Sequence, residues 1–306
     1  VSGVLVICGP TAAGKSALAM TICRELGGEI VSADSVQVYN GLDIGSAKPT
    51  REEQADVRHH LIDIADPVAE QVDAQRWADL ADAAIADIWG RGLLPVVCGG
   101  TGLYVRALLN GLNPMPDVPD AVKRSVREEM AARGAPAMHE ELAKVDPVSA
   151  ERLAKGDSQR IGRALEVYRA SGKPISDWQT GISTDPHPRY PQARVFGLWP
   201  DKDALHARIE ARVPKMLAAG LVQEVADLVD AGVPTDRGPL LALGYREVVA
   251  HLRGDIPEAH LAEAIARGHR RYAKRQLTWF RGIGVREHAL EHANVEAIRS
   301  MAVTLG

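Results

Sequence analysis

The chain has 306 residues, 46% hydrophobic and 25% charged, with a formal net charge of -4. That balance predicts a soluble globular protein of one large or two smaller domains, and it excludes a wholly basic nucleic-acid coat. No apolar stretch approaches the roughly 20 residues that span a bilayer; no membrane partner is expected, and the cytoplasm is the expected location. Cys8, Cys23 and Cys98 are odd in number and sit inside apolar runs, which suits buried thiols better than disulfides or a structural zinc site.

Val4 to Cys8 reads as a strand and Lys15 to Leu26 as a helix, and between them Gly9-Pro10-Thr11-Ala12-Ala13-Gly14-Lys15-Ser16 matches the pattern G-x-x-x-x-G-K-[ST]. Glycines at both ends let the backbone close into a concavity whose N–H groups point inward, and the following helix directs its positive end at the same spot. Phosphate belongs there. Lys15 supplies a point charge and the Ser16 hydroxyl a ligand for Mg²⁺ bridging the phosphates. A glycine-rich turn in an ordinary α/β domain is the alternative, which the strand-then-helix flanks disfavour.

Glu29 to Ala33 reads as a second strand, which delivers Asp34-Ser35-Val36-Gln37-Val38-Tyr39 to the carboxyl end of the sheet, where ligands of open parallel sheets bind. Standing alone, Asp34 reads first as a turn aspartate or helix N-cap. A turn-rich stretch over 41–50 leads to a further strand over His59 to Ile64; adjacent strand residues face opposite ways, so the paired histidines do not share an ion. Ala74 to Gly90 has helical periodicity, with Trp77, Leu80, Ala81, Ala84, Ile85 and Ile88 on one face. Leu93 to Cys98 is a buried strand ending in Gly99-Gly100-Thr101-Gly102-Leu103-Tyr104, without the Mg²⁺-holding aspartate of many phosphate-loop ATPases.

From Pro114 to about Pro191 proline and charge increase and strand-like runs vanish, which predicts a helical insertion with helices near 119–133, 136–145, 147–155 and 158–171. In the last of these Gln159, Arg160 and Arg163 cluster as a basic patch, which alone reads as a solvated face. Arg194 to Trp199 is a returning strand, and Asp201 to Ala219 a helix with Arg208 and Arg212 on one face. Between Pro257 and Arg281 a final helix gathers Arg267, Arg270, Arg271, Lys274, Arg275 and Arg281 with Thr278 on one side, against Ile265, Tyr272, Trp279 and Phe280. No acidic residue falls between Arg267 and Arg286. A polyanionic partner fits such a stripe, and an ordinary solvated amphipathic helix remains the alternative.

With these motifs in place, the chain resembles the bacterial tRNA dimethylallyltransferases, also called tRNA isopentenyltransferases, over nearly its whole length. The marks are G-P-T-A-A-G-K-S at 9–16, D-S-V-Q-V-Y at 34–39, D-I-G-S-A-K-P at 43–49, H-H-L-I-D at 59–63, G-G-T-G-L-Y at 99–104, D-S-Q-R-I-G-R at 157–163, L-G-Y-R-E at 243–247 and K-R-Q-L-T-W-F-R at 274–281. The resemblance implies an α/β fold: a P-loop NTPase-like core with a parallel sheet flanked by helices, from 1–113 and 192–306, plus an inserted helical domain over 114–191 that contacts tRNA. It implies transfer of a dimethylallyl group from dimethylallyl diphosphate to the N6 amine of the adenosine 3′-adjacent to the anticodon.

In those terms Asp34 is the general base, while Thr101, Arg212, Lys15, Arg208 and Mg²⁺ at Ser16 stabilise the departing diphosphate in the 9–16 loop. The target base leaves its stack to reach the site. The implied tRNA contacts are Ser35, Val36 and Gln37; Lys123; Gln159, Arg160, Ile161, Gly162 and Arg163; and Arg271, Lys274, Arg275, Gln276, Thr278, Trp279 and Arg281. The anticodon stem-loop is the expected partner of a monomeric enzyme. The competing readings are a P-loop small-molecule kinase, which fits the phosphate loop but not the basic helix, and a nucleotide-dependent RNA-binding module, which leaves Asp34 and Thr101 without a task.

Overall fold

The computed structural model describes residues 3–179, 187–283, 285 and 287–288; the stretches 180–186 and 289–306, assigned above to the insertion and the core, lie outside the described residues. The chain opens with β1 (Leu5–Cys8), α1 (Lys15–Leu26) and β2 (Gly28–Ser32). Gly27, at φ 69°, ends α1 in the left-handed region and returns the chain directly into β2. Then follow α2 (Arg51–Asp56), β3 (His59–His60), α3 (Ala74–Gly90), β4 (Leu94–Gly99) and α4 (Gly102–Asn110). β3 is shorter than the predicted 59–64 strand, because Leu61 and Asp63 take positive φ and turn the chain away from the sheet. Trp77 of α3 is fully buried, donates its indole N–H to Ser32 O at 3.0 Å and stacks on Tyr104 of α4 at 4.6 Å, pinning both helices beneath the end of β2.

Residues 111–179 form a compact unit of their own, all helical in its regular structure among the described residues. Its elements are α5 (Asp120–Val145), α6 (Pro147–Arg152), α7 (Ser158–Ser171) and α8 (Ile175–Trp178). Gly134, at φ 77°, breaks α5 in two, and Pro136 starts the second half, where a missing N–H costs little. Asp146 and Asp157 cap α6 and α7, and Val126, Met138, Leu142, Ile161 and Leu165 fill the unit's core.

The other unit takes up the chain again from 187, with β5 (Arg194–Leu198), α9 (Lys202–Ala218), α10 (Leu221–Asp230), a 3₁₀ turn (Gly238–Leu241), α11 (Tyr245–Leu252), α12 (Glu258–Gly282) and β6 (Glu287–His288). Residues 187–191, predicted in the insertion, belong here: Arg189 donates to Ala107 O and Leu108 O, and Tyr190 to Asp82.

The sheet is parallel throughout, in the order β3-β2-β4-β1-β5-β6. β1 and β4 are buried along their whole length, as continuous apolar runs with helices on both faces must be. The core between α1 and the sheet holds Leu5, Ile7, Ile22, Ile30, Val96 and Leu198. No helix among the described residues is long and apolar enough to cross a membrane.

At the start of β2, Glu29 accepts from Arg91 at 2.7 Å and pairs with His60 at 2.6 Å, and these partners hold its carboxyl down at about 2. The folded pKa lies below the unfolded one, so this stabilisation is complete above about pH 4.5 and is lost as pH falls toward 2. Glu29→Gln should therefore lower Tm at neutral pH and flatten the acid limb of a Tm-versus-pH series; an unchanged acid limb would remove Glu29 from the acid-sensitive set.

Candidate active site

Three neighbouring strands, β2, β4 and β1, end side by side, and each delivers one part of the site. After β1 the chain turns through Gly9 at φ 143°, where a Cβ would stand 2.6 Å from Leu198 O, and reaches α1 through Gly14 at φ 90°. Both positions require glycine. The loop between them presents the N-terminus of α1, with Ser16 exposed in its first turn. Lys15 folds back to donate from Nζ to Pro10 O at 2.7 Å, and burial depresses its pKa against the opposing pull of Cys98 and Asp34. Burial pushes Cys8 and Cys23 up to about 12 and Cys98 to about 11, so all three enter as neutral apolar groups.

Asp34 follows the end of β2. Its Oδ1 accepts from Val36 N–H at 2.9 Å and from Gln37 N–H at 3.3 Å, while Oδ2 has no hydrogen-bond partner among the described residues. One oxygen therefore orders the turn, as the turn reading expects, and the other takes no part in it. Thr101, after β4, grips both flanks of Asp34, donating its N–H to Ala33 O at 3.1 Å and accepting Ser35 N–H on Oγ1 at 3.0 Å. α4 begins at the next residue, so a second helix N-terminus starts here beside that of α1.

α9 supplies the remaining cation. Arg212 donates to Thr11 Oγ1 at 3.2 Å, and burial depresses its pKa while the charge of Asp34 opposes that shift. Arg208, one turn earlier, is exposed. Among the described residues no three His, Cys, Asp or Glu side chains gather where they could hold a metal. A divalent cation at Ser16 fits only as a hard ion held by one hydroxyl, substrate phosphate oxygens and water, which is the way Mg²⁺ is commonly bound.

The basic stripe of α12 is real but smaller than the helical wheel predicts. Arg271, Lys274, Arg275, Thr278 and Arg281 are exposed, whereas Arg270 is largely covered and paired with Glu210 at 3.0 Å and Glu263 at 2.8 Å. Trp279 is half-buried, its indole lying against the Gly102 backbone. Three of the implied RNA contacts lie inward: Gln276 is 5% exposed, Ile161 is fully buried and Gly162 is buried beside it in α7. The Gln37 amide donates to Ser46 O and Ala47 O and accepts from Ser32 Oγ. Ser35 and Val36 are half-buried beside Asp34. In the helical unit Gln159 and Arg160 are exposed, Arg163 is half-buried with Glu166 at 3.4 Å, and Lys123 pairs with Asp120 at 3.0 Å.

Two groups escape sequence reasoning. Glu224 of α10 accepts the N–H groups of Asp43, Ile44 and Gly45 and the hydroxyl of Tyr245, which packs so closely that a Cβ on Gly45 would fall 2.4 Å from its ring. That contact explains the D-I-G-S turn. Tyr272 places its hydroxyl beside Thr101 and Gln276, and burial together with the charge of Asp34 pushes it up to about 12.

The IPP transferase family model matches residues 37–283. The chain belongs to the IPP transferase family. Relatives within it are close: tRNA dimethylallyltransferase 1 of Trichlorobacter lovleyi is 46% identical over 98% of both chains. The tRNA dimethylallyltransferase of Halorhodospira halophila is 49% identical over 91% of this chain and 90% of its own. The tRNA isopentenylpyrophosphate transferase of Bacillus halodurans superposes with a TM-score of 0.71 at 34% identity, covering 100% of this chain and 97% of that one. A eukaryotic dimethylallyltransferase acting on tRNA gives a TM-score of 0.71 at 25% identity, over 99% and 79% of the two chains. The core has the P-loop NTPase-like architecture of this IPP transferase group, interrupted by its helical insertion.

Proposed function

We propose that this chain transfers a dimethylallyl group from dimethylallyl diphosphate to the N6 amine of the adenosine 3′-adjacent to the anticodon of tRNA, acting as a monomer in the cytoplasm. The observation that carries the reading is Asp34: one carboxylate oxygen is held by the Val36 and Gln37 N–H groups, and the other is open, at a strand end beside the phosphate loop. A small-molecule kinase needs the loop, but it gives no role to the exposed cations of α12.

In the proposed step the adenine nitrogen lone pair forms a bond to the allylic carbon as the carbon–oxygen bond to diphosphate breaks. The electron pair of that bond leaves with the diphosphate. The amine is a weak nucleophile because its lone pair is delocalised into the ring, and the proton it sheds passes to Asp34 Oδ2. Growing negative charge on the leaving group falls on the N–H groups of Gly14, Lys15 and Ser16 at the start of α1, on the Lys15 ammonium, and on Arg212 with the Thr11 hydroxyl, with Thr101 and Arg208 adding donors. Mg²⁺ held at Ser16 supplies further charge neutralisation when bound. Arg271, Lys274, Arg275, Thr278 and Arg281 contact tRNA from the core, and Lys123, Gln159, Arg160 and Arg163 from the 114–191 insertion.

The test is incubation with bulk tRNA and either labelled dimethylallyl diphosphate or γ-labelled ATP. Label should enter RNA from the first donor only, and entry from ATP, or from neither, would overturn the reading. Replacing Arg271, Lys274 and Arg275 together by alanine should weaken tRNA binding and lower the slope of log K against log salt by about one unit for each phosphate no longer neutralised. Donor binding should persist. Unchanged affinity across a salt series would return α12 to an ordinary solvated helix.

A further inference from the structure

The same helix that exposes the cations buries a glutamine between them. Gln276 extends inward from α12, accepts Thr11 N–H on Oε1 at 2.9 Å and donates from Nε2 to Gly100 O at 2.9 Å. These partners lie 265 and 176 residues away in sequence, one in the phosphate loop and the other in the turn after β4. The seat leaves no room for a larger residue, since a Cβ at Gly100 would stand 2.3 Å from Gln276 Nε2, and one at Gly102 2.1 Å from Trp279 Cδ1. Gly100 and Gly102 therefore answer to α12 as well as to a turn. One helical turn away, the Tyr272 hydroxyl lies beside Gln276 and Thr101.

We infer that Gln276 is a positioning residue of the donor-phosphate loop and not an RNA contact; the inference rests on the proposed function only in naming the donor. An amide suits the seat because it satisfies one N–H and one carbonyl at once. Without it the Gly100 carbonyl would be buried without this partner, and the half-buried Thr11 would lose the strut that fixes it where its hydroxyl receives Arg212. α12 then has two tasks on two faces: cations outward for RNA, and one amide inward for the diphosphate cradle.

The deciding experiment uses Gln276→Met, which keeps length and removes both hydrogen bonds, and Gln276→Glu, which keeps an acceptor for Thr11 N–H but turns a second oxygen toward Gly100 O. For Gln276→Met, the Kd and KM of dimethylallyl diphosphate should rise about tenfold, the worth of a buried acceptor left unpaired. The Kd of an anticodon stem-loop RNA and its salt slope should stay as in wild type. For Gln276→Glu, donor affinity relative to wild type should recover as pH is lowered, because a protonated carboxyl can again donate to Gly100 O. Loss of RNA affinity with unchanged donor affinity would overturn the assignment, and so would wild-type values for both. If the methionine variant does not fold, a pH-independent ratio for the glutamate variant overturns it. Failure of wild type to bind the donor would instead sink the functional reading.

Discussion

Asp34→Asn should bind tRNA and donor nearly as wild type does, yet transfer about 10²–10⁴-fold more slowly in a single turnover, the usual worth of a positioned proton acceptor. The geometry makes the substitution clean. Asparagine keeps an oxygen where Oδ1 accepts the Val36 and Gln37 N–H groups, so the turn and the grip of Thr101 on Ala33 and Ser35 survive. What changes is the open position, where an amide NH₂ replaces Oδ2 and presents a donor to an amine that must lose a proton. A metal-holding Asp34 predicts a different pattern, with donor binding weakened and partly restored by added Mg²⁺. Single-turnover transfer at saturating tRNA over a Mg²⁺ series separates the two, and near wild-type transfer by the mutant sinks both.

The legible parts of the site are those written in consecutive residues. Gly9 and Gly14 sit at positive φ where the phosphate-loop spacing requires them, and the apolar runs of β1 and β4 end where their ligand loops begin. Asp34 is locatable as a strand-end residue, but its role comes from the resemblance, because a turn aspartate carries the same local signature. Gln276 is not legible. A helical wheel puts it on the packing face with Tyr272 and Phe280, four residues away on either side, but only the docking of α12 shows that its partners there are Thr11 and Gly100. Gln37 escapes for the same reason, since its partners Ser46 and Ala47 belong to a loop fixed by Glu224, 180 residues beyond Ile44. The early end of β3 is not legible because it begins with a positive φ at Leu61, a conformation uncommon for leucine.

The glycine that closes β4 should be the least replaceable residue outside the reacting groups. A Cβ on Gly99 would stand 2.1 Å from Ala33 O and 2.4 Å from Ala33 C, both backbone atoms, so no side-chain rotation relieves the overlap. Relief requires β2 and β4 to part at their carboxyl ends. Ala33 O is also the acceptor of Thr101 N–H, and Ala33 N–H donates to Cys98 O at 2.8 Å, so parting the strands strains both bonds and displaces Asp34 from Thr101. Gly99→Ala should cost about 1–3 kcal/mol of stability, as overpacking commonly does. Its effect on catalysis should be larger than that loss suggests: single-turnover transfer down about 10²-fold under conditions where circular dichroism shows a folded protein, since a misplacement near 1 Å can cost that much. Gly90, at the end of α3, is the control, because nothing lies within 4 Å of its Cβ position and Gly90→Ala should leave stability and transfer unchanged or slightly raise the first. Equal behaviour of the two alanine variants would show that the β2–β4 junction tolerates a methyl group, and that the hold of Thr101 on Ala33 and Ser35 does not depend on bare backbone at Gly99.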